Sequence, residues 1–139
     1  MRIGILCAGD REVAPFLPLI ENSKTSKKAM LTFYEGTING SEVVALYCGV
    51  CKVNAAIAAQ ILIDTYRVDA VINAGTAGGM QHGLGILDTV ISTEVAYHDV
   101  SPELLTDFHP WLGSVYFKAD EKLLTLSHKA VEKLGLQRN

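Results

Sequence analysis

This chain of 139 residues has no long hydrophobic run. Its apolar stretches have the length of Ile3-Gly4-Ile5-Leu6-Cys7-Ala8, whereas a membrane span takes about 20 residues. No membrane association is therefore expected. Met1-Arg2 leads straight into that strand-like run, without the apolar region and cleavage site of a secretory leader. Charge is scarce and nearly balanced: 12 Lys and Arg against 15 Asp and Glu, a net charge of -3 and 19% charged residues in all. No basic stripe exists, so nucleic acid is not an expected partner. Cysteine is limited to three residues, an odd number that fits a reducing, cytoplasmic setting. His82, His98, His109 and His128 are not paired with one another or with cysteine at zinc spacing, so no metal site is expected. What the chain does have is apolar content, at 49%. That excludes intrinsic disorder, and the length corresponds to one domain, 1–139, with a core of its own.

Residues 2–8 have the pattern of a buried strand, broken by Gly9-Asp10. A helix is expected from about Arg11 to Ile20 with Asp10 as N-cap. Pro15 and Pro18 predict that it is kinked or starts late. The polar, Lys- and Ser-rich residues 22–29 form a surface loop in this reading. Two β-rich stretches, 30–38 and 42–48, flank Asn39-Gly40, a dipeptide suited to the positive φ angles of a type I′ turn, and predict a hairpin. Residues 52–66 form a helix whose inner face would carry Val53, Ala56, Ile57, Ile61 and Leu62. A buried strand is expected at 69–74, running into Gly75-Thr76-Ala77-Gly78-Gly79, and a further strand at about 88–96. Residues 99–115, with Pro102 and Pro110, are irregular in this reading. A helix from about Asp120 to Leu134 would be closed by Gly135, with residues 135–139 leading into another element. The alternation predicts an α/β fold with a mostly parallel, buried sheet.

Four features could carry chemistry. The Gly-rich turn 75–79 follows a strand, where open α/β sheets place their ligands. Glycine there lets a ligand approach the backbone, and Thr76 adds a hydroxyl. Its spacing fits neither a dinucleotide fingerprint nor a triphosphate loop, and a plain tight turn explains it equally well. Glu12, just past the first strand, could orient or deprotonate a water. It could also be a first-turn carboxylate that simply suits the helix dipole. Cys48-Gly49-Val50-Cys51 stands at a strand-to-helix junction, where a helix N-terminus can lower a thiol pKa. That opens a thiol-disulfide redox function. Its placement after a hairpin arm, and the lack of a downstream Ile-Pro or Thr-Pro, favour two buried small residues instead. Tyr97-His98-Asp99 ends a strand, so His98 could line a site or be hydrogen-bonded in its loop. The aromatic residues Phe108, Trp111, Tyr116 and Phe117 that follow suit a lid, an interface or a satellite core.

Together these stretches resemble the 5′-methylthioadenosine/S-adenosylhomocysteine nucleosidases of the nucleoside phosphorylase superfamily. The resemblance rests on Met1 to Ala8 with Glu12-Val13, on Gly49-Val50-Cys51-Lys52-Val53-Asn54-Ala55-Ala56, and on Asp69 to Gly79. Tyr97-His98-Asp99 and Phe117-Lys118-Ala119-Asp120 extend it in register over nearly the whole chain. It implies a nucleoside phosphorylase-like mixed central sheet flanked by helices. The implied reaction is hydrolysis of the N-glycosidic bond of methylthioadenosine or adenosylhomocysteine, without metal or organic cofactor, in a homodimer. In that likeness Glu12 holds the attacking water, while Ala8, Gly9, Val50, Thr76, Ala77 and Gly78 line the base and ribose site. The chain departs from the family at Gly9 (commonly Met), Thr76 (usually Ser), Cys51 (usually Gly) and throughout 100–116. The family's purine-protonating Asp and ribose-gripping Met-Glu segment lie beyond residue 139, so the likeness implies an incomplete domain lacking its C-terminal part. Two alternatives stand beside hydrolysis and redox chemistry: phosphorolysis, suggested by Gly9-Asp10-Arg11, and a non-catalytic nucleoside-binding fragment.

Overall fold

The computed structural model of the chain describes residues 1–109 and 111–135. Two compact units appear, Met1–Gly78 and a second that begins at Gly79. The first is built on a five-stranded sheet: β1 (Arg2–Cys7), β2 (Glu21–Lys28), β3 (Leu31–Ile38), β4 (Ser41–Tyr47) and β5 (Ala70–Asn73), in the order β2-β3-β4-β1-β5. β1 pairs in parallel with both β4 and β5, whereas β2–β3 and β3–β4 are antiparallel. The sheet is therefore mixed rather than mostly parallel.

Alternation along β1 and β4 sends side chains to two cores. Ile5, Cys7, Val43 and Ala45 pack with Val13 and Ile20 on one face. Leu6, Val44, Leu46 and Cys48 pack with Phe33, Ala58, Leu62 and Tyr66 on the other. Both faces are covered, which is why these strands read as continuous apolar runs. Helix α2 (Lys52–Asp64) covers the second face through Ala58 and Leu62, with Ala55, Ala59 and Ile61 beside them. Val53 and Ile57, expected on the inner face, are instead 70% and 45% exposed. The helix is apolar on nearly every side, so periodicity alone does not select a face. Small side chains select it: a Cβ on Gly4 would stand 3.0 Å from Leu62 Cδ1, so glycine in β1 admits the leucine.

Several other expectations are corrected. Residues 22–29 are not a loop, because Glu21–Lys28 form edge strand β2. Its side chains are almost all exposed and polar, and its lysines guard a free edge, so no apolar alternation advertises it. The expected helix 11–20 is only α1 (Asp10–Val13) plus one 3₁₀ turn (Leu17–Leu19), with Gly9 rather than Asp10 as N-cap. Pro15 stops the first and Pro18 opens the second. β5 forms the other edge of the sheet and is only half-buried.

In the second unit β6 (Glu94–Ala96) pairs antiparallel with β7 (Tyr116–Lys118), and Tyr97 meets Phe117 edge to face at 6.0 Å. Residues 88–93 do not join the expected strand, for no described strand pairs with them. Part of the stretch 99–115 is helical: α3 (Pro102–Phe108) starts on Ser101, whose hydroxyl accepts from the Leu104 N–H. Pro102 sits where a helix tolerates proline, since the first N–H groups have no partner there. Helix α4 (Glu121–Leu134) is capped by the Asp120 carboxylate and closed by Gly135 at φ 65°. Pro110 and the further element expected at 136–139 lie outside the described residues.

The two hairpin turns differ in quality. Asn39 and Gly40 take φ 48° and 77°, as their sequence predicts. Ala29 and Met30 close β2–β3 with φ 47° and 64°, although neither favours positive φ, and Met30 is wholly exposed. Replacing them together (Ala29→Asn, Met30→Gly) is expected to stabilise the protein by about 1–2 kcal/mol. Urea unfolding should show a higher midpoint at unchanged slope. An unmoved midpoint would locate no strain at this turn.

Candidate functional site

Register brings three chain reversals to one edge of the first unit. Leu6 pairs with Asn73, and the Ala74 N–H donates to the Leu6 carbonyl at 3.0 Å. On the other side Cys7 pairs with Tyr47, and the Cys48 N–H donates to the Cys7 carbonyl at 2.9 Å. The carboxyl ends of β1, β4 and β5 therefore lie side by side, with α1 rising directly from β1. This is where parallel α/β strands commonly present ligands.

Glu12 is half-buried at the third position of α1, from which its side chain folds back over the helix start. Oε2 accepts from the Ala8 N–H at 2.9 Å and the Gly9 N–H at 2.8 Å. Oε1 accepts from the Thr76 N–H at 2.7 Å and the Thr76 hydroxyl at 3.0 Å. The bond to Gly9 is half of a capping box; Gly9 has no side chain to return it. The bonds to Thr76 exceed what a helix cap requires, because they cross from β1 to the end of β5. Two donors per oxygen use the acceptor capacity of a carboxylate in full. Hydrogen bonds from the Thr76 backbone, then Gly9, then the Thr76 hydroxyl, favour the charged form and hold the pKa at about 2, against an ordinary 4.5. Glu12 is thus an anion at every physiological pH.

Of the residues anticipated around it, Ala8, Gly9 and Thr76 bind Glu12 directly. Ala77 and Gly78 continue the exposed strand exit beyond Thr76. Val50 stands past the end of β4, 77% exposed, with its carbonyl accepting from Asn54 Nδ2 at 2.8 Å. No described contact joins Val50 to Glu12. Gly75 belongs with the cluster, since a Cβ built there would meet the Glu12 carboxylate. The sequence points to it only as part of the Gly-rich turn 75–79. A cavity of about 280 Å³ lined by Val95, Ala96, Tyr97 and Phe117 lies in the second unit. Another of about 270 Å³, between Arg2, Asn22, Lys24, Glu35 and Glu42, lies at the opposite ends of the strands. Neither includes Glu12. Among the described residues no group of three or more His, Cys, Asp or Glu converges as a metal site. No described helix is long and apolar enough to cross a membrane.

The cysteines divide differently from expectation. Cys7 and Cys48 are buried on opposite faces of the sheet, and burial pushes both thiols up, Cys7 to about 11. Cys48 Sγ donates to the Gly49 carbonyl at 3.0 Å. Cys51, expected to be buried, is exposed at the N-cap of α2, with φ 93° and ψ 149°. Only glycine adopts that conformation readily, so Cys51 occupies a position built for a residue without Cβ.

A family model described as "Phosphorylase superfamily" matches residues 2–138. The chain is 41% identical, over 143 aligned positions, to a 5′-methylthioadenosine/S-adenosylhomocysteine nucleosidase of Bacillus subtilis (strain 168), covering 99% of this chain and 61% of that protein. A Colwellia psychrerythraea 34H nucleosidase of that name, solved with adenine, superposes with a TM-score of 0.87 at 38% identity, covering 96% of this chain and 56% of its own. One from Streptococcus pneumoniae, solved with a transition-state inhibitor, gives 0.86 at 33% identity, with coverages of 96% and 59%. The chain thus spans about three-fifths of the length of the curated relatives it matches.

The thiol arrangement makes its own forecast. At pH 7–8 a disulfide reagent should modify one thiol rapidly in the native protein, and none in Cys51→Ala. Two fast thiols, or reduction of insulin by the protein, would restore redox chemistry at Cys48 and Cys51.

Proposed function

The chain belongs to the phosphorylase superfamily, and from that premise we propose that it contributes the water-holding side of an adenine nucleoside hydrolase. The substrates would be 5′-methylthioadenosine and S-adenosylhomocysteine, cleaved at the N-glycosidic bond. The observation that carries this reading is the Glu12 carboxylate. It is anionic, held by four donors from two separate chain reversals, and set at the carboxyl edge of the sheet. A pKa of about 2 makes it a poor proton acceptor and a good electrostatic anchor. In a dissociative substitution the C1′–N bond breaks as the ribose becomes cation-like. A fixed anion beside it stabilises that charge and orients the water, which gives up a proton as its oxygen bonds C1′ while the departing adenine gains one. The water needs one of the four acceptor positions. Three of the donors are backbone N–H groups fixed by the strand ends, so the Thr76 hydroxyl is the one that turns aside.

Ala8, Gly9, Val50, Thr76, Ala77 and Gly78 would line the base and ribose, offering small side chains and backbone groups to a flat purine. This reading also takes the protein to be a cytoplasmic homodimer acting in methionine salvage, in line with the family resemblance. Redox chemistry is disfavoured by the raised Cys48 pKa, since a nucleophilic thiol needs a lowered one.

The test is adenine release from methylthioadenosine by the full translated product of the reading frame, with and without phosphate. Release independent of phosphate is expected, with kcat falling about 10²- to 10⁴-fold in Glu12→Gln. Because Glu12 stays ionised, its own titration should leave no limb in the rate profile between pH 5 and 9. A full rate in Glu12→Gln would remove Glu12 from the mechanism. A requirement for phosphate would assign phosphorolysis instead.

A further inference from the structure

The glycine preceding Thr76 has no conformational reason to be glycine. Gly75 is not among the residues with positive φ, so its backbone admits any side chain. What excludes a side chain is Glu12. An ideal Cβ on Gly75 would lie 2.6 Å from Glu12 Oε1, 2.8 Å from Cδ and 3.0 Å from Oε2, and these are its three nearest neighbours outside the adjoining residues. Real Cβ atoms essentially never approach closer than 3.0 Å, so the carboxylate, the far end of a flexible side chain, has to move, and the cost of moving it is the loss of its four hydrogen bonds. The neighbouring glycines behave differently: a Cβ on Gly78 would meet nothing within 4 Å, and one on Gly9 would stay 3.7 Å from the same carboxylate. We propose that Gly75 is a positioning residue, whose missing side chain is the space in which the Glu12 carboxylate is held against Ala8, Gly9 and Thr76.

The proposal deepens the hydrolase reading and rests on it for its catalytic consequence. The carboxylate meets the chain just past the end of β5, where it fills the space beside Gly75 and accepts from the Thr76 N–H one residue further on. A methyl group at 75 pushes the carboxylate outward, away from the donors that immobilise it. Thr76 is then left with two donors turned toward solvent, and Glu12 becomes a mobile surface acid. The three atoms nearest the added methyl all belong to Glu12, so the effect is expected to run mainly through that one side chain.

That specificity allows a double-mutant cycle on the full chain: wild type, Gly75→Ala, Glu12→Ala and the double variant. Glu12→Ala empties the space that the methyl would enter. Gly75→Ala alone is expected to lower Tm by about 5 °C or more, and to lower it hardly at all in the Glu12→Ala background. If Gly75→Ala alone does not fold, folding of the double variant supports the proposal and failure of both overturns it. Carboxyl NMR supplies a readout that a merely structural role would not move. In Gly75→Ala the Glu12 titration should rise from about 2 toward 4.5. The linked stability changes with the same sign. A lowered folded-state pKa adds stability that is present above about 4.5 and lost as pH falls toward 2, and that loss should shrink in Gly75→Ala. In the adenine assay kcat should fall about 10²-fold with little change in KM. Equal Tm losses in both backgrounds, or a Glu12 titration left at about 2, would overturn the proposal. Coupling between 75 and 12 in a protein that releases no adenine would sustain the placement and overturn the hydrolase reading alone.

Discussion

Everything in the first unit depends on β1 having a parallel neighbour on each side. β4 and β5 pair with it in register, so three strands end together and their exits share one edge. The same pairing buries both faces of β1, which forces an uninterrupted apolar run on the sequence and leaves glycine at position 4 where α2 comes closest. It also sorts the two buried cysteines: Cys7 pairs with Tyr47 and packs in one core, while Cys48, one residue past β4, packs in the other.

Glu12 illustrates how such an edge is furnished. A four-residue helix cannot hold a carboxylate firmly by itself, and a capping contact to Gly9 is ordinary. The distinguishing feature is the second pair of donors, which comes from the chain just past the neighbouring strand β5 and consists of one residue's N–H and hydroxyl. Threonine keeps that hydroxyl, so the departure from the serine typical of the resembled family costs the arrangement no donor. The similarity to solved nucleosidases extends over this unit, yet the chain spans about three-fifths of those relatives.

The parts legible in the sequence were those where burial or turn chemistry leaves a mark. β1, the Asn39-Gly40 hairpin, the helix near 52–66 and the last helix with its Asp120 and Gly135 ends all carry such marks. β2 carries none, since an edge strand satisfies its backbone on one side only and exposes almost every side chain. β6 is only the last three residues of the strand expected at 88–96, and β7, also three residues, is too short for alternation to register. Helix α3 was hidden behind Pro102, which reads as a breaker yet occupies a first-turn position. Within the site, Ala8, Gly9, Glu12 and Thr76 were anticipated and do meet. Gly75 belongs to the Gly-rich turn 75–79 that the sequence singles out, but its steric role has no signature there until the carboxylate that fills the space is placed.

The separation between the partners has a consequence for synthesis. Glu12 and Thr76 are 64 residues apart in the chain. At translation rates of about 5–20 residues per second, Glu12 leaves the ribosome roughly 3–13 s before the donors that complete its setting. Over that interval the nascent carboxylate is restrained at most by its local contacts, and β1 has no β5 beside it. The charge is therefore fixed in place by one of the last pairings of the sheet, so a ribosome that pauses before residue 76 releases no stretch of chain on which this anion is already built.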